Sequence, residues 1–201
     1  MNIKKTLAAV VAIIALSTLG GCIDAPPPPK AERMMFQNVQ PLLVDAARVE
    51  IRNDYKPSVQ APFVEHLFPN PPAIAAEAMI SRQVAASGMN SNNILRVIIV
   101  DGPVKEERLP LKQGIVGTFT KEPETRLDAK LLVKFELATQ AAPDIVIGHA
   151  DIAAARTKYV MKGASPAERE KVYNDLVREM MADVANGVKS AVENTFGKKT
   201  Y

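Results

Sequence analysis

The clearest pattern in the chain is an alternation of apolar and charged residues between positions 126 and 137. A period of two is typical of a strand with one face in a core and the other in water. Such a strand suits an antiparallel sheet that helices cover on one side. We interpret its charged face as a solvated sheet surface. The apolar positions are Leu127, Ala129, Leu131, Val133, Phe135 and Leu137; the charged ones are Arg126, Asp128, Lys130, Lys134 and Glu136.

Three further stretches predict strands. Residues 42–52 end in an alternation, and residues 94–100 are a nearly continuous apolar run of the kind found in central strands. After a break at Asp101-Gly102-Pro103, residues 104–109 are expected to continue that strand at an edge. Residues 145–160 predict the last strand, bent near Gly148 or in the following alanine run.

Two stretches predict helices. Asn70 is expected to cap a helix over residues 73–86, with proline in the first turn and Ala73, Ala76, Ile80 and Val84 buried. Ser165-Pro166-Ala167-Glu168 is a capping box that starts a helix over residues 166–196. Its apolar face comprises Tyr173, Leu176, Val177, Met180, Val184, Val188, Ala191 and Val192.

Two loops contain apolar residues. Residues 53–70 include Pro57, Pro62 and Pro69, which exclude a sheet interior, and we expect Phe63, Leu67 and Phe68 to pack on the core. In residues 111–120, two glycines flank a β-branched pair. Ile115, Val116 and Phe119 either contact a partner or lipid from a hairpin tip, or fold back on the domain.

The order strand, helix, strand, strand, strand, helix predicts an α+β fold. We expect a two-layer sandwich in which two helices cover a mostly antiparallel four-stranded sheet.

The N-terminal segment is organised as a targeting signal. Lys4 and Lys5 precede an uncharged apolar run over residues 7–19, which is too short to span a bilayer permanently, and then comes Cys22, the one cysteine of the chain. Leu19-Gly20-Gly21-Cys22 resembles the lipobox of bacterial lipoproteins. The resemblance implies that Cys22 carries diacylglycerol, that cleavage precedes it, and that its new amine receives an acyl chain such as palmitate. The alternative is an ordinary secretory signal that ends near a cysteine.

This interpretation divides the chain into a signal peptide (1–21), a lipidated proline-rich tether (22–41) and one periplasmic α+β domain (42–201). Each buried methylene contributes roughly 0.8 kcal/mol, so three acyl chains would make the anchor durable. The resemblance implies sorting to the outer membrane, because Ile23 rather than an acidic residue follows the cysteine. Asp24, one position later, leaves the inner membrane as the alternative.

Composition excludes several classes of function. Loss of the two leader lysines lowers the basic count from 25 to 23 against 22 acidic residues, so the mature protein is almost neutral. It has no basic block typical of nucleic-acid binding. With its one thiol lipidated, the folded part is expected to form no disulfide.

No constellation typical of catalysis or metal binding occurs in the sequence. His66 and His149 lie in different predicted elements, and neither has a metal-ligand spacing. Asp151 shares a strand face with His149, which permits an ion pair. We therefore predict a protein that is not an enzyme and has no cofactor beyond the covalent lipid on Cys22.

In outline, the predicted fold resembles the lipoprotein subunit of the lipopolysaccharide translocon and the auxiliary lipoproteins of ABC-type lipid transporters. The segments 66–72 and 124–131 resemble segments of uncharacterised Gram-negative lipoproteins. These uncharacterised lipoproteins supply no known activity. The outline resemblance implies a membrane-anchored, non-catalytic protein that binds or braces an envelope complex. The alternatives are a carrier that holds an acyl chain between helices and sheet, and a hydrolase.

Overall fold

The strand with the clearest alternation, β6 (Pro123–Thr139), is the centre of the sheet in a computed structural model. The structure describes residues 34, 36, 40–88, 90–111 and 122–196. All six apolar residues predicted to face the core from β6 are buried, so the alternation is confirmed.

Three strands pair with β6, all antiparallel to it. β7 (Val146–Met161) lies along one edge, whereas β4 (Asn93–Asp101) and β5 (Val104–Arg108) follow one another along the other. The prediction that residues 104–109 continue the preceding strand is therefore confirmed. Gly102 marks the break, where an added Cβ would lie 3.0 Å from Cβ of Ala73.

The sheet is mixed and has five strands, so the prediction of a mostly antiparallel four-stranded sheet is wrong. β2 (Arg48–Asn53) pairs with β4 in parallel because a helix connects the two strands and returns the chain to the same end. β1 (Leu42–Val44) and β3 (Val84–Ala86) form a separate two-stranded parallel sheet. The overall class is nevertheless α+β.

The first predicted helix is shorter than expected. α1 (Pro72–Gln83) ends before Val84 because residues 84–86 pair with β1 instead. The predicted cap is also wrong, since Pro71 occupies the N-cap position and makes no side-chain hydrogen bond. The Asn70 side chain instead accepts the backbone N–H of Met34 at 2.8 Å and donates to Asn174 Oδ1 at 3.2 Å.

The second predicted helix is confirmed with its capping box. α2 (Pro166–Ala191) starts at Ser165, whose hydroxyl accepts the N–H of Glu168, and a π-helical turn at Val192–Phe196 follows it. Every residue of the predicted apolar face is buried. Phe196 stacks on Phe135 of β6 with ring centroids 6.2 Å apart. In the described residues, no helix has the length and apolar character needed to cross a membrane.

The loop between β2 and α1 only partly follows its prediction. Phe68 is buried and stacks on Tyr173 with ring centroids 4.1 Å apart, and Phe63 is half-buried. Leu67 is wrongly predicted, because its side chain is 57% exposed. The short 3-10 helix Glu65–Leu67 turns Glu65 inward instead.

Both helices lie on one face of the sheet and leave the other open. α2 lies directly over β7, because the Arg156 and Lys158 side chains of β7 reach Asp183 at 2.5 Å and Glu179 at 2.6 Å on α2. At Gly187 the helix approaches so closely that an added Cβ would lie 2.7 Å from Ile152 Cγ2. The uncovered face and the outer edge of β7 are therefore the surfaces that the fold leaves for a ligand or partner.

Candidate binding surfaces

A broad groove of about 810 Å³ lies on the open face of the sheet. The loop before α1 forms one wall through Tyr55, Lys56 and Phe63, and its floor comes from neighbouring positions of β5, β6 and β7. We call this surface the open-face groove. Its floor includes Lys105, Arg126, Asp128, Lys130 and Thr157.

A buried carboxylate attaches the loop to the sheet. Glu65 is only 1% exposed, and its two oxygens accept the Tyr55 hydroxyl at 2.6 Å and the Val104 N–H at 3.1 Å. Burial of Tyr55 and its hydrogen bond to Glu65 raise the pKa of the Tyr55 hydroxyl well above its usual range. Backbone bonds add to this attachment, since Val64 donates to Val104 and Glu106 donates to Pro62. The wall of the groove is thus held in place on β5.

An ion-pair network organises the floor of the groove. Asp128 accepts the Thr157 hydroxyl at 2.7 Å and pairs with Arg126 at 2.7 Å. The hydroxyl and then the guanidinium lower the pKa of the Asp128 carboxyl. Arg126 also reaches Glu107 at 3.3 Å, so its charge is largely matched within the protein.

Other cations around the groove are not matched in this way. Within the part of the chain that the structure describes, Lys56 and Lys130 form no ion pair, and Lys105 lies over the Phe63 ring at 5.6 Å from its centroid. Of the five cationic side chains that line the groove, Arg156 pairs with Asp183 of α2 and Arg126 pairs with Asp128 and Glu107, which leaves three lysines against the carboxylate of Asp101. The groove therefore carries a positive excess on a protein that is otherwise almost neutral.

The outer edge of β7 is a second surface. This strand of 16 residues pairs with β6 alone among the described strands. Apolar side chains are exposed near both of its ends, with Ile147 54%, Tyr159 46% and Met161 44% exposed. A strand edge presents unpaired N–H and C=O groups that can pair with another chain.

A small groove of about 370 Å³ runs between this edge and the C-terminal half of α2. Its lining is dominated by short side chains, including Ala150, Ala153, Gly187 and Ser190. Because these side chains are short, the groove has room for side chains of an additional strand that point toward the helix side of the sheet.

The site residues that the sequence predicts lie outside the described residues. This applies to the lipobox Leu19, Gly20, Gly21 and Cys22, and to the possible contact residues Ile115, Val116 and Phe119. Their roles remain predictions. Arg126, Asp128 and Lys130 of the groove floor belong to the charged face of β6, which the sequence predicts to be a solvated sheet surface. The loop that packs on β5 makes this part of the surface concave.

The structure does not bring the two histidines together. His66 lies in the 3-10 helix and His149 on β7, and no ion pair joins His149 to Asp151. The described residues contain no group of three or more histidine, cysteine, aspartate or glutamate side chains placed to hold a metal ion.

Comparison with known proteins assigns no family, since no family model matches the chain. No curated protein matches it either. Lipoprotein B from Nitrosomonas europaea is 15% identical with a TM-score of 0.41, covering 80% of this chain and 94% of that one. A neuraminyllactose-binding hemagglutinin homologue from Helicobacter pylori is 8% identical with a TM-score of 0.38, covering 78% and 91%.

A minor lipoprotein from Acinetobacter baumannii is 12% identical with a TM-score of 0.37, covering 77% of this chain and 97% of that one. At TM-scores below 0.5, these likenesses support no conclusion about family or activity. The function has to be argued from the residues of this chain.

Proposed function

We propose that this chain is a lipid-anchored, non-catalytic protein of the bacterial envelope that binds an extended segment of an envelope partner protein along the outer edge of β7. The anchor is Cys22, and Ile23 after it favours the periplasmic side of the outer membrane. The observation that carries the binding role is the length of β7 that has no second neighbour among the described strands.

The composition of β7 supports pairing with another strand. Edge strands that avoid association are short or carry lysine, proline or inward-pointing charges. β7 has 16 residues and no proline, and its basic pair Arg156 and Lys158 is matched by carboxylates of α2. Main-chain hydrogen bonds along such an edge supply affinity, while pockets for alternate side chains supply specificity.

A lone segment fits this edge better than a second copy of the protein. Neighbouring strands lie about 4.8 Å apart, whereas packed helices need about 8–10 Å between their axes. Because α2 lies directly over β7, a second copy that paired antiparallel through its own β7 would place its α2 on the same face and too close to the first. A segment without a covering helix avoids this clash and can use the groove beside Gly187.

The alternative function, a carrier that holds an acyl chain between helices and sheet, requires the helices to separate from the sheet. The facing side chains of the sheet and α2, including Val133, Phe135, Leu176, Met180 and Val184, are 0% exposed and belong to one core cluster. An acyl chain between these layers would have to displace them. The filled interface therefore favours the binding role over the carrier.

Site-specific photo-crosslinking in intact cells tests the proposal. A photoreactive amino acid replaces Ala153, which is exposed on β7, and in a control it replaces Ala78, which is exposed on α1. We expect an adduct of one defined mass from position 153 and none from position 78. No adduct at 153, or an adduct with a second copy of the chain, would contradict the proposed role of the edge.

A further inference from the structure

The chain that leads from the anchor joins the domain at the loop between β2 and α1. Met34 donates its backbone N–H to Asn70 at 2.8 Å, and Asn70 closes the same loop whose earlier residues Tyr55, Lys56 and Phe63 form the groove wall. Met34 is the twelfth residue after Cys22.

The chemistry of the groove favours phosphate as its ligand. Lysine ammonium groups are compact point charges that bind phosphate oxygens, and Lys56 and Lys130 are both exposed and form no ion pair with the residues described. The Lys105 ammonium, which lies 5.6 Å from the centroid of the Phe63 ring, also lines the groove. Asp101 and Asp128 reduce the positive excess but do not cancel it.

We propose that the open-face groove binds the phosphate groups of anionic phospholipids in the membrane that carries the anchor, and so orients the domain on that membrane. This proposal rests on the lipid anchor of the proposed function. The acyl chains supply attachment, whereas the groove decides which side of the domain faces the lipid. The outer edge of β7 lies at the border of the same sheet and then remains accessible to a protein partner.

The test uses the lipidated mature protein in nanodiscs. Cys22 is the one native cysteine and its thiol is blocked by lipid, so a cysteine introduced as Ser58→Cys in the groove can be labelled alone with a polarity-sensitive dye. We expect the emission to change in nanodiscs that contain phosphatidylglycerol and to stay constant in phosphatidylcholine alone. The change should weaken at high salt, because exposed charges are screened over about 10 Å at 0.1 M salt.

Paired variants identify the residues responsible. Lys56→Gln with Lys130→Gln should weaken docking roughly 30-fold, measured as the ratio of docked to undocked protein that the emission reports at a fixed phosphatidylglycerol content. Lys171→Gln with Lys189→Gln removes the same charge from exposed positions on α2, across the sheet from the groove, and should leave docking unchanged.

Several outcomes would overturn the proposal. Equal emission in the two kinds of nanodisc, or equal loss in both paired variants, excludes a specific headgroup site. Inorganic phosphate or an acidic peptide is also added to the protein in nanodiscs of phosphatidylcholine alone. If phosphate changes the emission as much as phosphatidylglycerol does, the groove binds a soluble anion. If the peptide does so, the groove binds a protein partner. Release of the chain from the nanodisc would instead contradict the lipid anchor, so failure of the anchor is distinguishable from failure of the groove.

Discussion

Glu65 shows how a single residue shapes the candidate surface. A carboxylate removed from water is costly unless its oxygens accept hydrogen bonds. Here the Tyr55 hydroxyl and the Val104 N–H satisfy them, and these bonds connect the loop to β5. The buried Glu65 carboxylate is thereby the attachment point of the groove wall.

Tyr55→Phe removes one of these two donors and leaves the carboxylate partly unsatisfied. We expect the free energy of unfolding at neutral pH to fall by about 1–3 kcal/mol, measured by urea denaturation. Because the pKa of Tyr55 is raised on folding, the unfolded state loses its proton first, at pH values near 10. The stabilising effect of Tyr55 should therefore be present below pH 10 and decrease as the pH rises above it.

Tyr159→Phe is the matched control, since the Tyr159 side chain is 46% exposed on β7. This substitution should change the free energy of unfolding by less than about 0.5 kcal/mol. Equal stabilities of the wild type and Tyr55→Phe at neutral pH would show that the hydrogen bond to Glu65 contributes nothing.

At the scale of elements, the contact of α2 with β7 determines which parts of the sheet are covered. Gly187 allows this approach, because a side chain there would meet the stiff branched side chain of Ile152. The same contact positions Asp183 and Glu179 to match the charges of Arg156 and Lys158. The outer edge of β7 then carries no unmatched lysine that would discourage pairing.

Gly187→Leu should push the helix away from the strand, although leucine favours helix more than glycine does. We expect the free energy of unfolding to fall by about 1–3 kcal/mol through overpacking, measured by urea denaturation. Asn186→Leu introduces the same side chain at the exposed neighbouring position and should not destabilise the protein. Equal effects of the two substitutions would argue against a close approach at Gly187.

For the whole molecule, the anchor and the two surfaces imply a division of roles. The acyl chains on Cys22 would hold the protein at the membrane, the open-face groove would face the lipid, and the β7 edge would bind a partner segment. The groove lining includes Thr157 of β7, but Lys56, Lys130 and Cys22 lie outside that strand, so substitutions there can separate the roles.

Cys22→Ser should prevent lipidation and leave either an unprocessed precursor or a released soluble form. Membrane fractionation and the mass of the product measure this outcome. Gly21→Ala keeps a small residue beside the cysteine and should be processed normally. Unchanged mature mass and unchanged membrane association of Cys22→Ser would refute the lipoprotein interpretation.

Local patterns were sufficient for the main elements. The alternation in β6 and the capping box of α2 predicted both elements because burial period and cap chemistry depend on residues close together in the chain. The same reasoning from neighbouring residues gave a wrong prediction at Asn70, which forms hydrogen bonds with Met34 and Asn174 rather than capping α1. It also failed at Val84, whose strand partner Leu42 is distant in sequence.

The sequence by itself determined the strand and helix periods, the α+β class and the predicted lipidation site at Cys22, because each depends on neighbouring residues. Only the tertiary structure decided the parallel pairing of β2 with β4, the burial of Glu65 and the presence of Lys56, Lys105 and Lys130 in the lining of one groove. It also decided that β7 lies at an edge with α2 directly above it. These features depend on contacts between residues far apart in the chain, which no local pattern encodes.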